Sequence, residues 1–464
     1  MKHPKALGKF LFIGDEKFIV RGVAYGPFHP DDSGSEYHGF DQVDADFAAM
    51  AANGINTVRT YTVPPRWVLD LAMRHGLRVM VGLPWEQHIA FLDRAATARD
   101  IVRRVAEGVR NCAGHPAVLA YAIGNEIPCT IVRWYGARRV ERFLSRLCDA
   151  ARREDPGALV TYVNYPSTEY LDLRFLDFVA FNVYLETPEK FSDYVAHLQN
   201  IAENRPLVIA EMGLDEVRNG AEKQATTLAW QIDSAFRGGC AGAVVFSWTD
   251  EWYRGGYDIT DWRFGLTTSD RKPKPALQSV KEAYDKAPLP RDFEWPLISV
   301  VVCTHNGIST IEQCLQGVSK LKYPNYELIV VNDGSRPELV EIVKRFDTRL
   351  ITLPERRGLS YARNVGLKAA RGEFVAYLDD DAWPDPHWLH YIAEEFAATN
   401  HVGIGGPNVP PPNDTLIARS VAVSPGGPIH VLLTDTVAEH IPGCNMVFRK
   451  SALIDVDGFD PQFQ

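Results

Sequence analysis

The residues best placed to do chemistry in this 464-residue chain are carboxylates. One pair is Glu126, directly preceded by Asn125 in the run AYAIGNEIP, and Glu211 in VIAEMG. A second group is the triplet Asp379-Asp380-Asp381 that ends EFVAYLDDD. Two glutamates facing one another can cleave a glycosidic bond, one carboxyl protonating the leaving oxygen while the other attacks or activates water. Clustered aspartates supply hard oxygen ligands for Mg²⁺ or Mn²⁺, the kind of ion that bridges the two phosphates of a nucleotide diphosphate. A lone glutamate is most often a solvated loop residue, and an acidic triplet can be a mere turn. The elements that carry these residues therefore decide.

Up to about residue 285 the chain alternates short strand-like runs with amphipathic segments such as 41–53 and 98–112. The runs fall at 19–24, 56–61, 78–83, 119–124, 159–163, 178–182, 207–210 and 243–248. Strand–helix units repeated eight times over about 250 residues give a closed (β/α)8 TIM barrel. The runs are continuously apolar, as strands covered by helices outside and a filled interior inside must be. Residues 10–20, broken at Gly14-Asp15, read as a small hairpin ahead of the first barrel strand.

In such a barrel the C-terminal strand ends face the active site. Taken in order, those ends carry Tyr25, Arg59, Pro84-Trp85-Glu86 with His88, Asn125-Glu126, Asn164-Tyr165, Asn182 with Tyr184, Glu211 and Trp248. Glu126 at strand four and Glu211 at strand seven thus lie across one bowl. Rim aromatics there favour stacking on a pyranose face. Trp134 and Tyr135, just after strand four, are either a subsite wall or buried packing. His29, His38 and His88 have no metal-site spacing, and Cys129 has no histidine partner, so neither a metal nor a thiol nucleophile is assigned to the barrel.

Proline and charge at 272–276 and 286–292 mark a closing helix and a linker. The expected division is a barrel over 1–285, a linker over 286–296 and a second domain over 297–464. From 297 onward, apolar strands with polar tips alternate with helices, the pattern of an open doubly wound sheet. Its tips are Thr304-His305-Asn306-Gly307, Asn332-Asp333-Gly334-Ser335 and the Asp379–Asp381 triplet.

The net charge of −10, without long runs of one sign, speaks against nucleic acid or an anionic membrane surface as partner. No apolar run reaches the 18 residues of a membrane span. Seven scattered cysteines without CxxC spacing read as reduced thiols. These features place the chain in the cytoplasm, with membrane association left to a longer natural chain.

AYAIGNEIP, VIAEMG, VRTYTV, FNVY and FSWTDEW resemble the clan A glycoside hydrolases over roughly residues 10–285. The ending DITDWRFGLTTSDRKPKPAL resembles the β-glucuronidase and β-galactosidase branch, whereas GVAYGP and VRTYT are similar to β-1,3-glucanases. The resemblance implies a retaining mechanism with Glu126 as general acid/base and Glu211 as nucleophile, the carboxyl groups about 5–5.5 Å apart. It implies that Asn125 binds the sugar 2-hydroxyl and that Arg59 and Tyr184 hold Glu211. Tyr25, His88 and Trp248 are expected to touch the substrate.

SVVVCTHNG, LIVVNDGS, RRGLSYARNVGLKAARGEFVAYLDDD and GCNMVFRKSAL resemble the family 2 inverting glycosyltransferases over 297–464, with a GT-A-type fold. This implies that Thr304, Asn306, Asp333 and Asp380 meet the nucleotide sugar, with Arg363 near the diphosphate. Asp379 and Asp381 would form the metal-binding DxD element, and 443–445 would lie near the acceptor. In that family an acidic motif supplying the base follows the GFD element, and this sequence stops at Gln464 before one. The expectation is therefore the N-terminal part of a transferase, incomplete here and without transfer activity.

Together these features predict a bifunctional carbohydrate-active enzyme. A retaining β-glycosidase or transglycosylase would act on a β-glucan-like oligo- or polysaccharide, without a cofactor. It would be coupled to a hexosyltransferase using Mg²⁺ or Mn²⁺ and a nucleotide sugar such as UDP-glucose. The alternative is a barrel that only binds polysaccharide for the transferase.

Overall fold

A computed structural model describes residues 3–289, 293–410, 416, 420 and 430–462. The chain separates into two compact units, Met1–Pro290 and Arg291–Gln464. Residues 290–292 of the expected linker lie outside the described residues.

The first unit opens with β1 (Pro4–Leu7), β2 (Phe10–Ile13) and β3 (Glu16–Phe18), an antiparallel sheet in which the expected hairpin gains a third strand. Eight parallel strands then close into a barrel in chain order. They are β4 (Val20–Ala24), β5 (Thr57–Arg59), β6 (Arg78–Gly82), β7 (Val118–Asn125), β8 (Leu159–Asn164), β9 (Val179–Asn182), β10 (Leu207–Met212) and β11 (Gly242–Val245). Closure is made by β11 pairing with β4, Gly242 opposite Val20. Alternate side chains on these strands belong to two different cores. Met80, Ala120, Ala122, Ala180, Val208 and Val244 meet inside, with Leu11 of β2 among them. Val79, Val81, Tyr121, Ile123, Ile209 and Val245 pack outward under the helices. This double burial explains why the strand runs read as continuously apolar.

Two strands break the alternation. In β7 the pairing with β8 shifts between Ala122 and Asn125, and in β10 the pairing with β9 shifts between Ile209 and Glu211. An extra residue in a strand re-aims whatever follows it. These irregularities lie immediately before the two glutamates.

Beyond β11 a short ribbon, β12 (Tyr253–Arg254) with β13 (Tyr257–Asp258), leads to the closing helix Pro275–Lys286. The second unit holds β14 (Ile298–Thr304), β15 (Tyr326–Asp333), β16 (Arg349–Leu353), β17 (Phe374–Asp379), β18 (Gly403–Gly405), β19 (Val431–Leu432), β20 (Ala438–His440) and β21 (Met446–Arg449). Its main sheet runs β16-β15-β14-β17-β21-β18, with β14 to β17 parallel and β21 antiparallel to both neighbours. Val300 and Val302 pack on one face, Val301 on the other. The small ribbon β19–β20 stands apart from that sheet. No helix among the described residues is long and apolar enough to cross a membrane.

Candidate functional site

A cavity of about 830 Å³ opens at the C-terminal end of the barrel, lined by Arg59, Asn125, Glu126, Tyr184, Glu211 and loop residues between them. Buried in its floor, Arg59 of β5 reaches β7, β9 and β10, with Asn182 Oδ1 of β9 accepting from its Nη1 at 3.3 Å. Its Nη1 donates to Glu211 Oε1 at 2.7 Å and to the Ala210 carbonyl at 2.6 Å, while Nη2 donates to Asn125 Oδ1 at 2.7 Å. Tyr61 adds a second donor to Glu211 Oε1 at 2.8 Å, and Tyr184 donates to Oε2 at 2.8 Å. Although Tyr184 is 41% exposed as a whole residue, its hydroxyl reaches this floor. Burial holds both phenols well above their usual pKa of 10, so each keeps the proton it donates.

Glu126 is held differently. Asn182 Nδ2 donates to its Oε1 at 2.8 Å and also reaches Asn125 Oδ1 at 3.2 Å. The Glu126 backbone takes φ 51°, a left-handed conformation uncommon for a side-chain-bearing residue. Its neighbours fix that turn: the Glu126 N–H donates to the Val163 carbonyl, Ile127 N–H to the Tyr162 hydroxyl and Cys129 N–H to the Tyr165 hydroxyl. Burial, and next the nearby Glu211 charge, raise the Glu126 carboxyl above its ordinary 4.5 against the Asn182 donor. Two carboxyl groups in one network thus meet opposite surroundings, one ringed by donors and one inclined to hold a proton.

Of the expected barrel residues, Glu126, Glu211, Arg59, Asn125, Tyr184 and His88 line the cavity. His88 Nε2 pairs with Arg254 Nη2 at 2.7 Å. Tyr25 and Trp248 do not line it, which corrects the expectation that they touch substrate. Tyr25 is buried with its hydroxyl donating to Asp46 Oδ2 at 2.7 Å and its ring against Phe28 and Phe47. Strand β11 ends at Val245, so the chain has turned before Trp248, whose backbone N–H donates to the Ala24 carbonyl. Phe246 and Trp252 face the cavity instead, edge to face at 4.7 Å. Tyr135 packs on Phe91 and its hydroxyl bonds Asp93, while Trp134 is exposed outside the cavity. Sequence reasoning missed Tyr61 and Phe246. Strand alternation carries the signal, since Tyr61 follows Arg59 by two residues and Phe246 follows the inward Val244 by two.

In the second unit the tips of β14, β15 and β17 come together. Thr304 Oγ1 donates to Asp380 Oδ2 in a short hydrogen bond. Asp333 accepts the backbone N–H groups of Arg357 at 2.6 Å and Gly358 at 2.9 Å, so its carboxylate anchors the loop after β16. Asn306, at φ 60°, donates its N–H to Ser335 Oγ at 2.9 Å. Arg363 Nη2 stands 3.6 Å from Asp379 Oδ1 and 3.5 Å from the Gly443 carbonyl. Burial raises the Asp379 and Asp380 carboxyls; Arg363 opposes this at Asp379, and the Thr304 hydrogen bond at Asp380. Among the described residues no three His, Cys, Asp or Glu side chains converge as a metal site. Two carboxylates at a strand end still suit a hard cation that takes its remaining ligands from phosphate oxygens.

Comparison with known proteins agrees with both folds. Residues 6–288 match the family described as glycosyl hydrolases family 2, TIM barrel domain, and residues 299–457 match glycosyl transferase family 2. The fold of the barrel is shared with a β-glucuronidase from Ruminococcus gnavus solved with D-glucuronic acid, at TM-score 0.52 and 17% identity, over 61% of this chain and 52% of that one. It is shared also with a family 2 β-galacturonidase from Eisenbergiella tayi, at TM-score 0.53 and 18% identity, over 61% and 54%. Among curated relatives, the glycosyltransferase AglE of Haloferax volcanii is 31% identical over 118 residues, covering 24% of this chain and 39% of the relative. The poly-β-1,6-N-acetyl-D-glucosamine synthase of Staphylococcus epidermidis is 30% identical over 173 residues, covering 35% and 42%. The chain thus spans under half the length of these two relatives. It belongs to glycosyl hydrolases family 2 through its TIM barrel domain, which is followed by a glycosyl transferase family 2 domain.

Proposed function

We propose that the barrel is a retaining β-glycosidase or transglycosylase acting on a β-glucan-like glycan. The second domain is proposed to bind a nucleotide sugar such as UDP-glucose, the donor side of a hexosyl transfer to the same class of glycan. The observation that carries the barrel reading is the asymmetric hydrogen bonding of its two glutamates. Three donors complement a negative charge on Glu211, the nucleophile in this reading. A carboxyl raised above its ordinary value suits Glu126 as the acid that protonates the leaving oxygen and then, as a base, deprotonates the acceptor. Asn125 spends its side-chain oxygen on Arg59 and Asn182, which leaves its NH₂ group for a sugar hydroxyl. Phe246 and Trp252 offer apolar faces to the ring.

In the transferase domain, Asp379 and Asp381 would hold Mg²⁺ or Mn²⁺, which neutralises diphosphate charge when bound. Thr304 and Asp333 brace the nucleotide pocket, and Arg363 adds positive charge beside it. The likeness to a synthase of a β-linked polysaccharide supports a biosynthetic setting, in which the barrel remodels what the transferase builds.

The barrel is tested with dinitrophenyl 2-fluoro-β-glycosides, which trap a glycosyl-enzyme, followed by peptide mass mapping. An adduct on Glu211 is expected. No adduct, together with glycan binding that Glu211→Ala leaves intact, would favour a purely binding role.

A further inference from the structure

Tyr61 is one of the three donors to Glu211, and the oxygen it meets sets it apart from Tyr184. It donates to Glu211 Oε1 at 2.8 Å, the oxygen that already accepts Arg59 Nη1 at 2.7 Å. A carboxylate oxygen has two in-plane lone pairs. Both on Oε1 are therefore engaged, whereas Oε2 accepts one hydroxyl, that of Tyr184, and keeps one pair free. Several contacts fix where the Tyr61 hydroxyl goes. The Arg59 guanidinium lies over its ring at 4.5 Å, and Trp252 meets it edge to face at 4.8 Å. Gly82 lets the backbone at 60–61 approach so closely that a Cβ there would lie 2.4 Å from the Thr60 carbonyl and 2.7 Å from Tyr61 Cα.

Resting on the retaining reading, we infer that Tyr61 is a positioning residue that divides the labour of the Glu211 carboxylate: Oε2 attacks, while Oε1, held by Arg59 and Tyr61, receives charge when the sugar leaves. In the first half-reaction the free pair of Oε2 forms the bond to the anomeric carbon. The bond to the leaving oxygen breaks, and that oxygen takes the Glu126 proton. In the second, water or a sugar hydroxyl gives a proton to Glu126 and bonds to the anomeric carbon. The bond to Oε2 then breaks and its electron pair returns to the carboxylate. The returning charge spreads to Oε1, where two donors wait for it. Removing the Tyr61 donor makes Glu211 a poorer leaving group without blocking its attack.

The test is stopped-flow release of dinitrophenolate from a panel of dinitrophenyl β-glycosides by the whole chain, comparing Tyr61→Phe with Tyr184→Phe. For Tyr61→Phe we expect kcat to fall about tenfold while kcat/KM holds within about threefold, with a burst of one dinitrophenolate per enzyme as glycosyl-enzyme accumulates. Tyr184→Phe, which strips the attacking oxygen, is expected to lower kcat/KM instead. Equal falls in kcat and kcat/KM for Tyr61→Phe, or no change in either, overturn the assignment. Should the Phe variant not fold, Gly82→Ala, which must push residues 60–61 aside, is measured in its place; the same split supports the assignment, and its absence overturns it. If the unaltered chain forms no adduct on Glu211, the retaining reading itself falls, and this inference with it. An adduct without the Tyr61 split leaves that reading standing and sinks this inference alone.

Discussion

The barrel site and the transferase site spend their charged groups in opposite ways. In the barrel, Arg59 sits against Glu211 with both side chains nearly inaccessible, and the floor network is made between residues of different strands. In the transferase domain Asp333 is turned to holding the chain through two loop amides, while Asp379 stands beside the like charges of Asp380 and Asp381 with Arg363 3.6 Å away. A preorganised electrostatic site does its work without rearranging at the moment of reaction. A cluster of like charges reaches its working state only with a cation or ligand present. In the proposed reading the first site works with its own side chains, whereas the second takes a cation from outside.

The strongest way to break this contrast is Glu211→Ala. If the barrel site acts as a unit, kcat on β-glycosides falls on the order of 10⁴-fold or more, with circular dichroism unchanged. Retention of substantial activity would show that the floor network is structural only. Next in size is the removal of each arginine. Arg59→Met strands a buried carboxylate and is expected to cost about 3–5 kcal/mol in urea unfolding. Arg363→Met, with its partner 3.6 Å away and 40% exposed, should cost about 1 kcal/mol or less. Equal costs would erase the distinction.

The third comparison adds ligand. UDP with Mn²⁺ at 100 times Kd is expected to stabilise the transferase domain by about 2.7 kcal/mol, read as a thermal shift that the barrel does not share. Asp379→Asn with Asp381→Asn should abolish it, and a metal-independent shift of the same size would refute the ion's role. The smallest effect concerns proton affinity. With Glu126 acting protonated, as proposed, kcat/KM persists below its raised pKa and is lost as pH climbs through it. The Asn182 donor favours the ionised form, so Asn182→Ala should move that alkaline limb to still higher pH. A shift downward would show that Asn182 does not act on Glu126.

Much of the fold and of the barrel site is legible along the chain because it is local. Strand runs buried on both faces announce themselves by composition, and the tips Arg59, Asn125-Glu126, Tyr184 and Glu211 follow from where those runs stop. The errors arose where a strand ended early or a buried partner drew a side chain inward. Strand β11 stops at Val245, which sends Trp248 into the core and leaves Phe246 at the cavity. Tyr25 looked like a rim aromatic, but Asp46 offers its hydroxyl a buried partner that no local pattern reveals.

The sequence by itself determined which residue types were available and which strand end each would occupy, because period-two burial and turn chemistry act over a few residues. Only the tertiary structure decided which donor meets which carboxylate. Arg59 and Glu211 are 152 residues apart, and they meet because the barrel closes and a register shift in β10 re-aims Glu211. That outcome depends on the accumulated register of eight strands, a property of the closed sheet that no single segment contains.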